Sequence, residues 1–218
     1  MKNILEIKNL NHSYAKELAT ITDFSFSLKK GEIVSILGES GSGKTTLLRI
    51  IAGLEQPTSG EVIINERVVS NKDSVLPPEK RNLGLVVEDR ALFPHLNVEK
   101  NVMFGIYKTP AKESIALEYL SLFKVEHLGK KFPHEISAGE QQRVAFARAL
   151  ITNPEIIMLD EPFGALDKRL KSELHTETKR IFREKELSVL LVTHDEDEAE
   201  YFGDKTIEFK EGQIIIRS

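Results

Sequence analysis

Three short polar clusters, each directly behind an apolar run, carry the residue types of phosphate chemistry. Gly38-Glu39-Ser40-Gly41-Ser42-Gly43-Lys44-Thr45-Thr46 follows Ile33-Val34-Ser35-Ile36-Leu37, Asp160-Glu161 follows Ile156-Ile157-Met158-Leu159, and His194-Asp195 follows Ser188-Val189-Leu190-Leu191-Val192-Thr193. The first satisfies G-x-x-x-x-G-K-[ST]. Its glycines let the backbone curl so that successive N–H groups converge on an anion, and the positive end of a following helix points at the same centre. Lys44 would reach β- and γ-phosphates, and the Thr45 hydroxyl would ligate Mg²⁺. Asp160 would hold that ion from the opposite side, and Glu161 is placed to polarise an attacking water as general base. His194 can donate a hydrogen bond to a phosphate oxygen or a water. Alone, a glycine turn, a carboxylate pair or a strand-edge histidine each has an ordinary structural explanation. In this order behind three buried-type runs, they specify a nucleotide site.

Three further groups are open on the residues alone. Tyr14, between two strand-like stretches, could pack against a strand or stack a purine ring. Glu88-Asp89, ending the apolar run Leu83 to Val87, are either solvated acids or ligands at a strand's C-terminal edge. In Ile136-Ser137-Ala138-Gly139-Glu140, Ser137 as N-cap and Glu140 three residues on form a capping box, yet the serine hydroxyl and the free N–H groups also suit an anion.

The elements that must position these groups are readable by period. Ile4 to Leu10 and Phe24 to Leu28 alternate like antiparallel strands, and Glu61 to Ile64 adds another. Leu47 to Gly53 reads as a helix stopped by glycine. From Ala91 to Ile151 strand signals largely vanish. Asn97 to Phe104, Lys112 to Val125 and Ser137 to Leu150 read as amphipathic helices. Asp167 caps a helix running to about Glu184. Asp195 to Glu200 reads as a solvated helix face, and Lys205 to Phe209 with Gln213 to Ile216 as a closing hairpin around Glu211-Gly212. The chain has 218 residues, net charge -4, 29% charged and 40% hydrophobic residues, so no surface of bulk positive charge for nucleic acid is expected. With no cysteine, disulfides, thiolate metal sites and a cysteine nucleophile are excluded. The N-terminus alternates charged and apolar residues and is read as a strand, not a signal peptide, and no apolar run approaches the ~20 residues that span a bilayer.

On these motifs the chain resembles the ATP-binding subunit of ABC transporters over essentially its whole length. Gly38 to Thr45 matches the Walker A motif, Ile156 to Asp160 Walker B with Glu161 as catalytic glutamate, Ile136 to Glu140 the signature motif, Ala165-Leu166-Asp167 the D-loop, and His194 the switch histidine. The resemblance implies an α/β fold: a P-loop NTPase (RecA-like) core with an N-terminal antiparallel β subdomain and an inserted α-helical subdomain. It implies one ABC ATPase domain over residues 1–218, with 1–90 and 151–218 forming the core and about 91–150 the helical insert. Tyr14 then matches the adenine-stacking aromatic. Ala91-Leu92-Phe93-Pro94-His95-Leu96-Asn97-Val98 and Glu161-Pro162-Phe163-Gly164-Ala165-Leu166-Asp167 look like the importer branch serving ferric iron, polyamines, sugars, sulfate or thiamine, here expected without that branch's C-terminal regulatory domain.

The resemblance also implies the machinery. ATP and Mg²⁺ are the expected cofactors, with Tyr14, the loop from Gly38 to Thr46 and the residues Ser137, Gly139 and Glu140 on nucleotide, and Thr45, Glu88 and Asp160 on metal. The signature residues would come from a second copy in a head-to-tail dimer. Integral membrane permease subunits would be driven by it at the cytoplasmic face of the inner membrane, with a solute-binding protein indirectly involved and no nucleic acid. Two departures stand out. Glu88 occupies the position of the family's Q-loop glutamine and adds charge beside the phosphates, implying altered metal dependence or slower turnover. The signature, Leu-Ser-Gly-Gly-Gln in most members, here gains a methyl at Ala138 and a charge at Glu140. Competing expectations are a soluble ABC-type ATPase acting on nucleic acid or ribosomes, and a nucleotide-binding regulator that no longer hydrolyses.

Overall fold

A computed structural model describes residues 2–15, 18–164, 166–210 and 213–215. Two sheets organise them. Strands β1 (Asn3–Ala15), β2 (Leu18–Lys29), β4 (Ser59–Ile64) and β5 (Arg67–Ser70) form an antiparallel sheet in the order β2-β1-β4-β5. The second sheet has the order β10-β9-β3-β8-β7-β6. Its strands are β3 (Ile33–Leu37), β6 (Leu83–Val86), β7 (Ile156–Asp160), β8 (Ser188–Thr193), β9 (Lys205–Lys210) and β10 (Gln213–Ile215). All its neighbours run parallel except β10 against β9.

The central strands β3, β7 and β8 are buried along their whole length, because helices or the other sheet cover both faces. Alternation sorts their side chains between two cores. Val34, Ile36, Ile156, Met158, Leu190 and Val192 join the helix α1 (Lys44–Ala52) and the antiparallel sheet; Ile33, Ile157, Leu159, Val189 and Leu191 face the other way. That second core takes in α2 (Val98–Met103), α3 (Lys112–Leu122), α4 (Ala138–Leu150), α5 (Lys168–Glu184) and α6 (Glu196–Phe202). Phe146 of α4 is at its centre, within 6.2 Å of the rings of Phe123, Phe163 and Phe182, so truncation to alanine would cost about 3–5 kcal/mol.

Several elements extend beyond the sequence reading. The β1–β2 pair continues through His12, Ser13 and Tyr14, so Tyr14 belongs to a strand and not to the link. Strand β5 gave no signal, being four residues at a sheet edge. Glu198 is buried against Lys171 at 3.0 Å, not solvated. The expected turn at Glu211-Gly212, and Ala165 of the expected D-loop string, lie outside the described residues.

One buried cation fastens α1. Arg81 donates to Ile50 O and Ile51 O at the helix's C-terminal end, to Val69 O and Ser70 Oγ of β5, and to Leu76 O. Burial draws its guanidinium down to about 10, while the carbonyl-rich end of the helix dipole favours the positive charge.

Candidate functional site: a phosphate-binding cleft

Parallel pairing brings the C-terminal ends of β3, β8, β7 and β6 side by side, and each delivers one part of the site. Beyond β3, the loop curls into α1. Gly43 takes φ 105°, and a Cβ there would lie 2.7 Å from Thr20 O, so only glycine fits. No side chain caps α1 and no acid occupies its first turn, which leaves its N–H groups for an anion. Lys44 is buried and donates from Nζ to Gly38 O at 2.7 Å and Glu39 O at 2.8 Å. Burial lowers its pKa, opposed by the nearby charges of Glu161 and Asp160.

The two carboxylates stand at the end of β7, Asp160 as its last residue and Glu161 just beyond. Successive strand residues point to opposite faces, so Asp160 and Glu161 would diverge if the strand continued. The left-handed backbone of Glu161, φ 48°, ends that alternation. Asp160 Oδ1 accepts from Thr45 Oγ1 at 3.2 Å, and Glu161 Oε1 lies 3.7 Å from Lys44 Nζ. Beyond β8, His194 Nδ1 lies 2.8 Å from Glu161 Oε2; facing an acceptor-only carboxylate, Nδ1 carries the proton and donates. Burial raises the Asp160 pKa; Thr45 and Lys44 oppose the shift, and Glu161 and Glu88 add to it.

Gly38, Lys44, Thr45, Glu161 and His194 line a cleft of about 910 Å³, shared with Tyr14 and Glu88, and Asp160 meets it through its hydrogen bond with Thr45. The Tyr14 ring is exposed, braced edge-on by His12 at 4.6 Å, and its hydroxyl lies 3.3 Å from Thr46 Oγ1, an arrangement free to stack a base. The residues fit a nucleoside triphosphate: Ser42 Oγ is buried without a hydrogen-bond partner, and the capless helix start faces open space. They also fit a hard divalent cation, since Thr45 and the raised-pKa Asp160 offer oxygens where carboxylates crowd. Mg²⁺ is usually held by one or two carboxylates with phosphates and water, and the hydrogen-bonded pair of Thr45 and Asp160 offers oxygens of that kind.

Ser137, Gly139 and Glu140 do not line this cleft. Ser137 caps α4, and its N and Oγ both donate to Glu140 Oε2 at 2.7 Å. Gly139 is buried, and a Cβ on it would meet Leu170 Cδ2 of α5 at 2.4 Å. Thr20, Glu196 and Glu208 also line the cleft without having been singled out from sequence. Glu208 arrives by register, opposite Leu37 on the neighbouring β9, a relationship no local signal carries.

Comparisons with known proteins point to one family. A family model described as ABC transporter matches residues 21–164. The chain is similar to the Fe(3+) ions import ATP-binding protein FbpC 2 of Haemophilus influenzae, 44% identical over 216 residues, covering 97% of this chain and 60% of that protein. It is 40% identical over 218 residues to the spermidine/putrescine import ATP-binding protein PotA of Bacillus thuringiensis, covering 98% of this chain and 65% of that one. The chain thus spans under two thirds of the length of these relatives. Among solved structures, the dimeric ATP-binding cassette MJ0796 bound to ADP and Pi, in a post-hydrolysis state, superposes with a TM-score of 0.84 at 34% identity over 96% of both chains.

Proposed function

This chain belongs to the ABC transporter family, and on that premise we propose that it is a Mg²⁺-dependent ATPase that works as a head-to-tail pair of copies to power an importer. The observation that carries the reading is the convergence on Glu161, whose carboxylate faces the Lys44 ammonium on one oxygen and the His194 imidazole on the other.

ATP would lie with its base on Tyr14 and its β- and γ-phosphates in the loop from Gly38 to Thr46. Lys44 and the free N–H groups of α1 hold the phosphate oxygens, concentrating fixed positive charge where negative charge shifts during transfer. Thr45 and Asp160, with Glu88 alongside, would hold Mg²⁺, which when bound would neutralise charge on the phosphate oxygens. Glu161 accepts a proton from water as the water oxygen bonds to the γ-phosphorus and the bond to the bridging oxygen breaks. His194 holds the Glu161 carboxylate in place. Ser137, Gly139 and Glu140 of one copy would cover the nucleotide held by the other, which accounts for their distance from their own cleft.

The partners in this reading are integral membrane permease subunits, reached indirectly by a solute-binding protein, with the chain peripheral at the cytoplasmic face of the membrane. No helix among the described residues is long and apolar enough to cross a bilayer. Ferric iron or another small solute is the proposed cargo, following the import functions in the relatives' names. An ATPase acting on nucleic acid or ribosomes finds no support in those names or in the charge of -4. Phosphate release from purified chain with ATP and Mg²⁺ tests the reading: Lys44→Ala should abolish nucleotide binding and release, and parent-like behaviour of that variant would end it. Co-purification with a polytopic membrane protein tests the transport role.

A further inference from the structure

Left-handed backbone is costly at residues other than glycine, and two such residues in succession mark a segment held by its surroundings. Arg90 at φ 62° and Ala91 at φ 43° form such a pair, directly after Glu88 and Asp89. One group on another element holds both carbonyls. Arg148 of α4 donates from Nη2 to Arg90 O at 2.9 Å and from Nη1 to Ala91 O at 2.6 Å, with its guanidinium 5.3 Å from the centre of the Phe93 ring. Within the turn, Arg90 N donates to Val87 O and Ala91 N to Asp89 Oδ1. Further along, buried Asn101 of α2 accepts from Phe93 N and donates to the carbonyls of Phe93, Leu96 and Asn97. The segment leaving Glu88 is therefore gripped by helices that also carry Ser137, which caps the other end of α4 roughly 16 Å away at 1.5 Å per residue.

We propose that Arg148 is a positioning residue for hydrolysis: by clamping the carbonyls of residues 90 and 91, it sets where Glu88 stands in the cleft according to where α4 stands. This rests on the ATPase reading of that cleft. A planar guanidinium spans two adjacent acceptors, whereas an ammonium on a flexible stem does not fix both at once. Without the clamp the strained pair relaxes and Glu88 moves with it.

The test compares Arg148→Lys and Arg148→Met with the parent chain. At saturating ATP, each variant should need on the order of tenfold more Mg²⁺ for half-maximal phosphate release, the range typical of residues that support metal ligands, with the KM for ATP little changed. Without nucleotide, amide hydrogen exchange over residues 87–97 should quicken in both. Adding Ala91→Gly, which lets the turn keep its left-handed form unaided, should restore most of the parent's Mg²⁺ dependence, a recovery that a packing role for Arg148 does not give. Parent-like Mg²⁺ dependence or exchange in Arg148→Lys, or no recovery with Ala91→Gly, overturns the proposal. Because the lysine variant keeps the stem and charge, it decides the matter even if Arg148→Met fails to fold. Lys44→Ala run alongside separates the levels: if it is active, the ATPase reading and the clamp both fall, whereas an inactive Lys44→Ala beside a parent-like Arg148→Lys sinks the clamp alone.

Discussion

His194 Nδ1 sits 2.8 Å from Glu161 Oε2 while Lys44 Nζ stands 3.7 Å from Oε1 of the same carboxylate. One side chain thus joins the buried lysine of the glycine loop to the histidine beyond β8. Glu161→Gln keeps the size and one acceptor but removes the base, so turnover should fall by ~10²–10⁴. ATP would still bind, and the variant should accumulate as an ATP-bound dimer in size-exclusion chromatography with Mg²⁺. A strictly monomeric variant at saturating ATP counts against the shared site.

The metal role proposed for Asp160 comes at a cost to the metal-free chain. Its folded pKa is raised above the unfolded value near 3.8, so the folded state resists its ionisation. The contribution to stability is therefore most favourable below that value and declines as pH rises through the raised folded pKa. Ionising this buried carboxyl therefore costs the metal-free chain stability. Asp160→Asn should raise the metal-free melting temperature, by about 2–4 °C for each kcal/mol relieved, while eliminating Mg²⁺-dependent phosphate release. Thermal melts with and without Mg²⁺-ADP check both halves, and a variant no more stable than the parent would show that the charge is tolerated.

Glu140 occupies the anion-seeking groups of Ser137. Hydrogen bonds from the Ser137 hydroxyl and N–H hold its carboxyl below the ordinary value of 4.5, so its capping contribution is present above that value and lost as pH falls through the lowered one. Glu140→Gln should cost about 0.5–1 kcal/mol of helix capping yet strengthen ATP-driven pairing, by removing a negative charge from the surface proposed to face phosphate. Sedimentation of Glu161→Gln with and without the second change measures this; weaker pairing would mean that the carboxylate assists closure.

Gly139 separates packing from nucleotide contact. Gly139→Ala presses a methyl on Leu170, a flexible neighbour, for an expected loss of about 1 kcal/mol. Adding Leu170→Ala should restore turnover relative to Leu170→Ala alone if the glycine serves helix packing. Failure of that rescue in denaturant melts and phosphate release would assign Gly139 to the nucleotide surface.

The placement of the cleft's groups was legible because they follow uninterrupted apolar runs, which put Asp160, Glu161 and His194 at strand ends and Lys44 at the start of the helix after a glycine loop. Capping was legible for the same local reason at two helices: Ser137 and Asp167 do cap α4 and α5. What stayed hidden depends on partners distant in sequence. His12 and Tyr14 looked like a link because a polar stretch becomes strand only through pairing with β2. Glu198 looked solvated because Lys171 lies on another helix. Arg81 and Arg148 carry no sequence signal, because their acceptors include backbone carbonyls, which no side-chain pattern announces.

The helices between β6 and β7 share their apolar interior with one face of the parallel sheet: Phe146, Leu120 and Val102 belong to the same core as Ile157, Leu159 and Val189. This segment is therefore not a transplantable module. A chimaera that took residues 91–150 from a relative would have to inherit the matching sheet face and Leu170 as well, and graft compatibility among such ATPases should follow those strand residues more closely than identity within the helices themselves.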